Sequence, residues 1–382
     1  MNKLTNQIKH YEWGCPKFIP EFLGLENTEL PYAEMWMGTH PGAPSRIELD
    51  NKTAGLNEVH GELPFLFKLL GIDKPLSIQV HPDKEQAENG FKKEEEKGIP
   101  LSSPERNYKD SNHKPEIMCA LSPFTMMAGF RKPLDTLSSF KELLTFAPAL
   151  NQLFSPLVET LQKESLISFY KTLLKFTKDD CKFVFSTLFD NKVDEHPGEQ
   201  IIPQSWTLMK KFAALYPGDI SVLSPLFLNV LNLEPGQAVF IPAGILHAYI
   251  SGFGIELMSS SDNVLRAGLT PKHIDIDELL SITHFEPYYP NVLNPSDDDW
   301  FCYNTPSKDF LLARLNGNNN EKILPLKTKA ICIVTSGELT ADGIPFKKGE
   351  SFFVSDKYLN NKEIILTGQY TLFAATDCCG CS

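Results

Sequence analysis

Gln79 and His81 stand two residues apart in the apolar run Leu76-Ser77-Ile78-Gln79-Val80-His81. Alternate side chains of a strand leave the same face, so this pair can bring an amide oxygen and an imidazole to one point. That geometry serves a metal ion, and it equally serves a strand-end histidine bonded to backbone. Glu116 follows Asn112-His113-Lys114-Pro115, where the proline fixes the local backbone and sets a carboxylate at the entrance to the apolar run 117–121. His247 comes just after the turn Pro242-Ala243-Gly244, at the start of another apolar strand. Together Gln79, His81, Glu116 and His247 offer two imidazoles, one carboxylate and one amide oxygen. This borderline donor set suits zinc with a position left for water or substrate, and it also admits manganese, cobalt or iron. Arg266 and Lys272 add two positive charges within seven residues. They form either a grip for a phosphate dianion, Arg as a fork and Lys as a point charge, or a solvated loop pair.

The elements that must carry these residues are strands. Residues 1 to about 130 are rich in Pro, Gly and short apolar runs, the texture of strands joined by loops. From 134 to 216 the texture becomes helical: Phe140, Leu143 and Leu144, then Leu153, Phe154, Leu157 and Leu161, then Ile167, Tyr170 and Leu174 recur at three-to-four spacing. After Pro217-Gly218-Asp219 strand texture returns, and the uncharged stretch 236–255, broken by Pro242, His247 and four glycines, reads as two buried strands and their turn rather than a membrane span. The run from Gly236 to His247 resembles the G-x5-P-x-G-x2-H element of cupin jelly rolls, with Ser251 where that element ends in Asn, and it has a faint echo from Gly349 to Asn360 in which the glycine and the apolar strand recur without the Pro, Gly or His. The expected fold is mainly β with a helical insertion: a catalytic cupin-type jelly-roll β-barrel from 1–133 and 217–285, an α-helical domain from 134–216, and a smaller jelly-roll-like β domain from 286–382.

Two longer runs carry a family resemblance. Residues 108–116, Tyr-Lys-Asp-Ser-Asn-His-Lys-Pro-Glu, and residues 247–272, from His247-Ala248-Tyr249 through Glu256, Asp262 and Arg266 to Lys272, resemble the two long signatures of the type I mannose-6-phosphate isomerases. Tyr11-Glu12-Trp13-Gly14 and the segment 76–84 add to the likeness, which spans about residues 8–275. The resemblance implies an aldose-ketose isomerase that interconverts mannose 6-phosphate and fructose 6-phosphate, a step toward GDP-mannose, with one zinc per chain on Gln79, His81, Glu116 and His247. It implies catalytic roles for Arg266, Glu256 and Lys114, and a sugar site lined by Trp13, Ser77, Tyr249, Asp262 and Lys272. Ser259 departs from the family's small apolar residue, and the helical block is shorter than in many fungal and animal relatives, which leaves the mouth more open. Two other classes compete: a non-catalytic cupin that binds a sugar phosphate, and an oxidative metal cupin, against which only two histidines beside Gln and Glu argue.

The totals set the remaining bounds. A chain of 382 residues with 42% hydrophobic content builds a substantial core, and a formal charge of −12 repels nucleic acid and anionic membranes, so any phosphate must be held by a local basic cluster. Lys9, His10 and Glu12 interrupt the start where a secretory signal would be apolar, and the eight cysteines show no disulfide framework, which together imply reduced thiols in a cytoplasmic protein; a monomer without protein partners is expected, although the sequence itself is silent on oligomeric state. The Cys378, Cys379 and Cys381 tail lacks the aliphatic residues and basic stretch of a prenylation site. The run Lys92-Lys93-Glu94-Glu95-Glu96-Lys97 reads as a solvated helix, and His10, His60, His196, His273 and His284 lack ligand spacing.

Overall fold

The computed structural model describes residues 1–26, 28–189, 203–296, 298–360 and 362–377. The cysteine tail from Cys378 and His196 therefore lie outside the described residues. One long strand, His247–Ser259, organises the catalytic half. Its first residues pair antiparallel with Phe124–Phe130, and His247 also pairs with Gln79. Its second half pairs with Phe65–Ile72 on one side and Glu116–Ala120 on the other. A single strand thus belongs to two sheet layers. One layer runs through Ala238–Ile241, Glu116–Ala120, the long strand, Phe65–Ile72 and Glu34–Gly38, and the other through Leu228–Leu233, Phe124–Phe130, the long strand, Ile78–Val80 and Leu265–Gly268. The architecture is the mainly β, cupin-like one expected.

Strand parity decides what faces the space between the layers. Met118 and Ala120, Met126 and Ala128, Val239 and Ile241, Leu70 and Tyr249 form one buried cluster there, drawn from both layers. The residues between them face outward. Ile78, Val80, Ala248, Ile250, Leu265 and Ala267 pack under the helices, whereas Phe67, Leu69, Ile117, Cys119, Ile255 and Leu257 pack toward the C-terminal sheet. The chemistry-bearing residues Lys68, Gln79, Glu116, His247, Glu256 and Arg266 all have the inward parity.

Five helices, Pro133–Phe146, Asn151–Gln162, Leu166–Leu173, Lys178–Leu188 and Pro203–Leu215, stand where the apolar spacing predicts helix. In the third of these the buried stripe lies one residue off the expected one: Leu166, Phe169, Tyr170 and Leu173 are buried, while Ile167 is exposed and Leu174 half-buried. Ser165 caps that helix by accepting from the Ser168 amide, which fixes its start and hence the face it buries.

The C-terminal strands form an eight-stranded sheet in which Ala330–Ala341 and Ile365–Thr376 pair along nearly their whole length. The faint sequence echo is visible in the backbone. Gly236 and Gly349 have φ of 91° and 88°, and each precedes a four-residue strand, Ala238–Ile241 and Ser351–Val354. The first strand then enters the turn to His247, the second a short helix, Asp356–Leu359. Asn2–Lys3 also joins this sheet by pairing with Phe353 and Phe352, and Tyr303, Ile331, Phe353 and Phe373 share one core with Met35, Phe65, Ile117 and Leu257.

The acidic-basic run lies in the helix Lys84–Glu96 but is not wholly solvated: Glu94 is buried, bonded to the Arg106 guanidinium at 2.9 Å and to the Asn107 and Tyr108 amides. Among the described residues no helix is long and apolar enough to cross a membrane.

Candidate metal centre and active-site cleft

His81, Glu116 and His247 are fully buried, and their ligand atoms lie within 4.8 Å of one another. His247 Nε2 is 3.0 Å from Glu116 Oε1, and His81 Nε2 is 3.4 Å from Oε2. The Gln79 side chain adjoins the group, its amide nitrogen 3.4 Å from His247 Nε2. Neighbouring backbone sets the tautomers. His81 Nδ1 stands 2.7 Å from the Asn263 carbonyl and His247 Nδ1 2.9 Å from the Ile245 carbonyl. A carbonyl only accepts, so each Nδ1 carries the proton and each Nε2 turns a lone pair into the cluster. The turn that delivers His247 depends on Gly244, whose φ is 79° and where a Cβ would fall 2.7 Å from the His284 ring.

The electrostatics agree with a cation at this point. Burial and then the Lys114 ammonium push the His81 imidazole down to about 4, so it is neutral and able to ligate at physiological pH. Burial opposes the charge on Glu116, yet Lys114, His247 and His81 together hold its carboxyl well below the usual range. Glu116 Oε1 accepts from the Tyr249 hydroxyl at 2.7 Å, while the buried Oε2 has no hydrogen-bond partner. That oxygen faces the Lys114 ammonium at 3.4 Å, so its buried charge is met in part by a cation already present. Two imidazoles, a carboxylate and a neighbouring amide side chain at one buried point fit a divalent metal of zinc type.

A second buried network adjoins this one, and sequence reasoning missed it. Lys68 sits on a strand of eight buried residues, opposite Glu256 on one side and Trp36 on the other. Its ammonium is 3.0 Å from Glu256 and 3.8 Å from Glu34, whose carboxylate in turn accepts from the Trp36 indole. Burial opposes the Lys68 charge, but Glu256 and Glu34 hold it above the usual lysine range; burial raises the Glu256 carboxyl despite Lys68, with Glu116 adding to the rise. The signal was present, since a lysine inside Phe-Leu-Phe-Lys-Leu-Leu-Gly-Ile demands a buried carboxylate partner. His40, 3.3 Å from Asp262, was missed as well.

Gln79 also forms part of the floor of an open cleft of about 900 Å³. Trp13, Ser77, Arg266 and Lys272 line it, and Tyr216, Pro217 and Asp219, which follow the helical block, form one wall. Arg266 is the strand neighbour of Gln79, which is itself the neighbour of His247, so the three side chains leave the same face side by side. Burial lowers the Arg266 guanidinium from its ordinary value, and burial with Arg266 lowers Lys272. Lys114 reaches the cluster directly, 3.3 Å from His81 Nε2 and 3.4 Å from Glu116 Oε2. Tyr249 is buried and meets Glu116 rather than the cleft wall, and Asp262 stands beside His40. His10, set aside in the sequence, lines the cleft.

Residues 1–133 match the family described as phosphomannose isomerase type I, catalytic domain. The chain is 36% identical over 380 residues to the mannose-6-phosphate isomerase of Escherichia coli K12, covering 93% of this chain and 95% of that one. It is 33% identical over 435 residues to the Bos taurus mannose-6-phosphate isomerase, covering 98% of each. Likeness thus extends past residue 275 into the C-terminal sheet. Among solved structures, a variant phosphomannose isomerase from Salmonella typhimurium superposes with a TM-score of 0.87 at 33% identity over 99% of both chains. A zinc-bound mannose 6-phosphate isomerase superposes with a TM-score of 0.86 at 33% identity, over 98% of this chain and 99% of that one. On whole-length similarity in sequence and in fold, the chain belongs to the mannose-6-phosphate isomerase family.

Proposed function

We propose that this protein is a zinc-dependent isomerase that interconverts mannose 6-phosphate and fructose 6-phosphate, acting as a cytoplasmic monomer. The observation that carries the reading is the convergence of two imidazoles and the Glu116 carboxylate at one buried point, beside a cleft of sugar-phosphate size whose lining includes Arg266 and Lys272. Gln79, His81, Glu116 and His247 would hold the zinc, which when bound would supply Lewis-acid stabilisation of negative charge on the sugar oxygens. Arg266 and Lys272, on the wall of the cleft, take the phosphate or the developing oxygen charge. Trp13 and Ser77 orient the sugar. Tyr249 steadies Glu116 through its hydroxyl, and Asp262 completes the polar surround with His40.

The reaction moves one proton between C2 and C1 through an enediol while a hydroxyl proton moves between the two oxygens. We assign the carbon proton transfer to Glu256, whose carboxyl burial raises toward the range of a working general base and whose position Lys68 fixes. Lys114, an ammonium inside the cluster, stabilises oxyanion character. Purified enzyme incubated with mannose 6-phosphate under anaerobic conditions and followed by proton NMR tests the reading. Fructose 6-phosphate should appear although oxygen is absent. Binding without turnover would point to a non-catalytic cupin, and turnover only in air to an oxidative one.

A further inference from the structure

A second cavity, of about 400 Å³, lies at the seam between the catalytic strands and the C-terminal sheet and shares no residue with the active-site cleft. Its walls mix four phenylalanines, Phe18, Phe22, Phe253 and Phe373, with two cations, Arg314 and Lys348. Neither cation has an ion-pair partner among the described residues, in a chain of net charge −12. Lys348 rests over the Phe22 ring at 5.4 Å. Among the described residues Arg314 makes a single hydrogen bond, from Nη2 to the Ser296 carbonyl at 2.7 Å, and its buried Nε has no acceptor. A buried guanidinium donor left unsatisfied carries a desolvation penalty that an arriving oxyanion would remove. Thr335, Ser336, Thr371 and Asn316 supply hydroxyl and amide groups on the same wall, and exposed Glu21 is the one carboxylate among the lining residues.

We propose that this seam cavity binds a phosphate monoester with an apolar or aromatic body, distinct from the sugar phosphate of the cleft. The Arg314 fork and the Lys348 point charge meet the phosphate, the hydroxyls complete its shell, and the phenylalanines cover the body. The volume is at the lower end of the range of small-ligand pockets. Gly236 keeps the Arg314 side accessible: a Cβ there would fall 3.1 Å from Pro295 and 3.7 Å from Arg314 Nη1.

The test uses phenyl phosphate as probe and the full-length, zinc-loaded chain, with isothermal titration of wild type, Lys348→Gln and Arg314→Gln and isomerase assays alongside. Wild type should show a binding event that either substitution weakens at least fivefold, while kcat and KM for the sugar phosphate stay within twofold. Lys348 is exposed, so its variant keeps the test valid should the Arg314 variant lose its fold. Isotherms of Lys348→Gln and wild type that superpose would overturn the proposal. Loss of turnover in wild type itself would count against the isomerase reading and leave the seam isotherms to be judged separately.

Discussion

At the residue scale, the site depends on groups that are buried only because each has a charged or lone-pair partner. Tyr249→Phe removes the hydroxyl that donates to Glu116 Oε1 without altering packing. Zinc affinity should fall about tenfold, the usual cost of losing an outer contact to a ligand, as read by competition with a chromogenic chelator. Lys68→Met leaves Glu256 and Glu34 facing each other across a buried space. Removing one partner of a buried ion network costs about 3–5 kcal/mol, so chemical denaturation should show a loss of that order, partly restored by Lys68→Met with Glu256→Gln. If Glu256 moves the carbon proton, Glu256→Gln should lower kcat by about 100-fold or more while the metal content is kept.

The pH dependence follows from His81. Its folded pKa of about 4 lies below the ordinary histidine value of 6.5, so between these values the unfolded chain binds the extra proton. The metal-free protein should therefore be stable above pH 6.5 and lose on the order of 3 kcal/mol as pH falls toward 4. Unfolding midpoints in urea across that window check the sign, and a stability that rises as pH falls would contradict it.

At the element scale, parity is what made the metal cluster legible. Gln79 and His81, two apart, and the Pro115-Glu116 and Gly244 to His247 segments encode their geometry locally, in spacing and turn chemistry. Lys68 and His40 were not legible in the same way, because their partners lie far along the chain, Lys68 beside Glu34 and Glu256 and His40 beside Asp262. The one-residue offset of the buried stripe in Leu166–Leu173 has a similar origin: apolar spacing leaves both Leu166 and Ile167 as candidates, and the Ser165 cap and tertiary packing choose. Gly244→Ala tests the turn. Its φ of 79° and the adjacent His284 ring leave no room for a methyl group, so stability should fall by about 1–3 kcal/mol and zinc retention should fall with it. An unchanged zinc content in dialysed protein would show that the turn does not set the position of His247.

At the scale of the whole molecule, the two β units are bound by more than a linker. The strand Asn2–Lys3 pairs with Phe352 and Phe353, and a common core runs from Met35 and Phe65 to Phe353 and Phe373. The faint echo between residues 236–247 and 349–360 reported the repeated strand but not this shared core, since contacts between units leave no periodicity in either segment. The same packing explains why likeness to relatives continues to the C-terminal end.

The central claim is that Gln79, His81, Glu116 and His247 hold a zinc on which isomerisation depends. Protein purified without added metal should carry about one zinc per chain by elemental analysis, as one four-residue ligand set holds one ion. It should convert mannose 6-phosphate to fructose 6-phosphate, lose that activity on chelation and regain it with zinc, while His247→Ala should neither retain zinc nor turn over. Full activity in a thoroughly chelated preparation, or zinc retained at wild-type level in His247→Ala, would contradict the account.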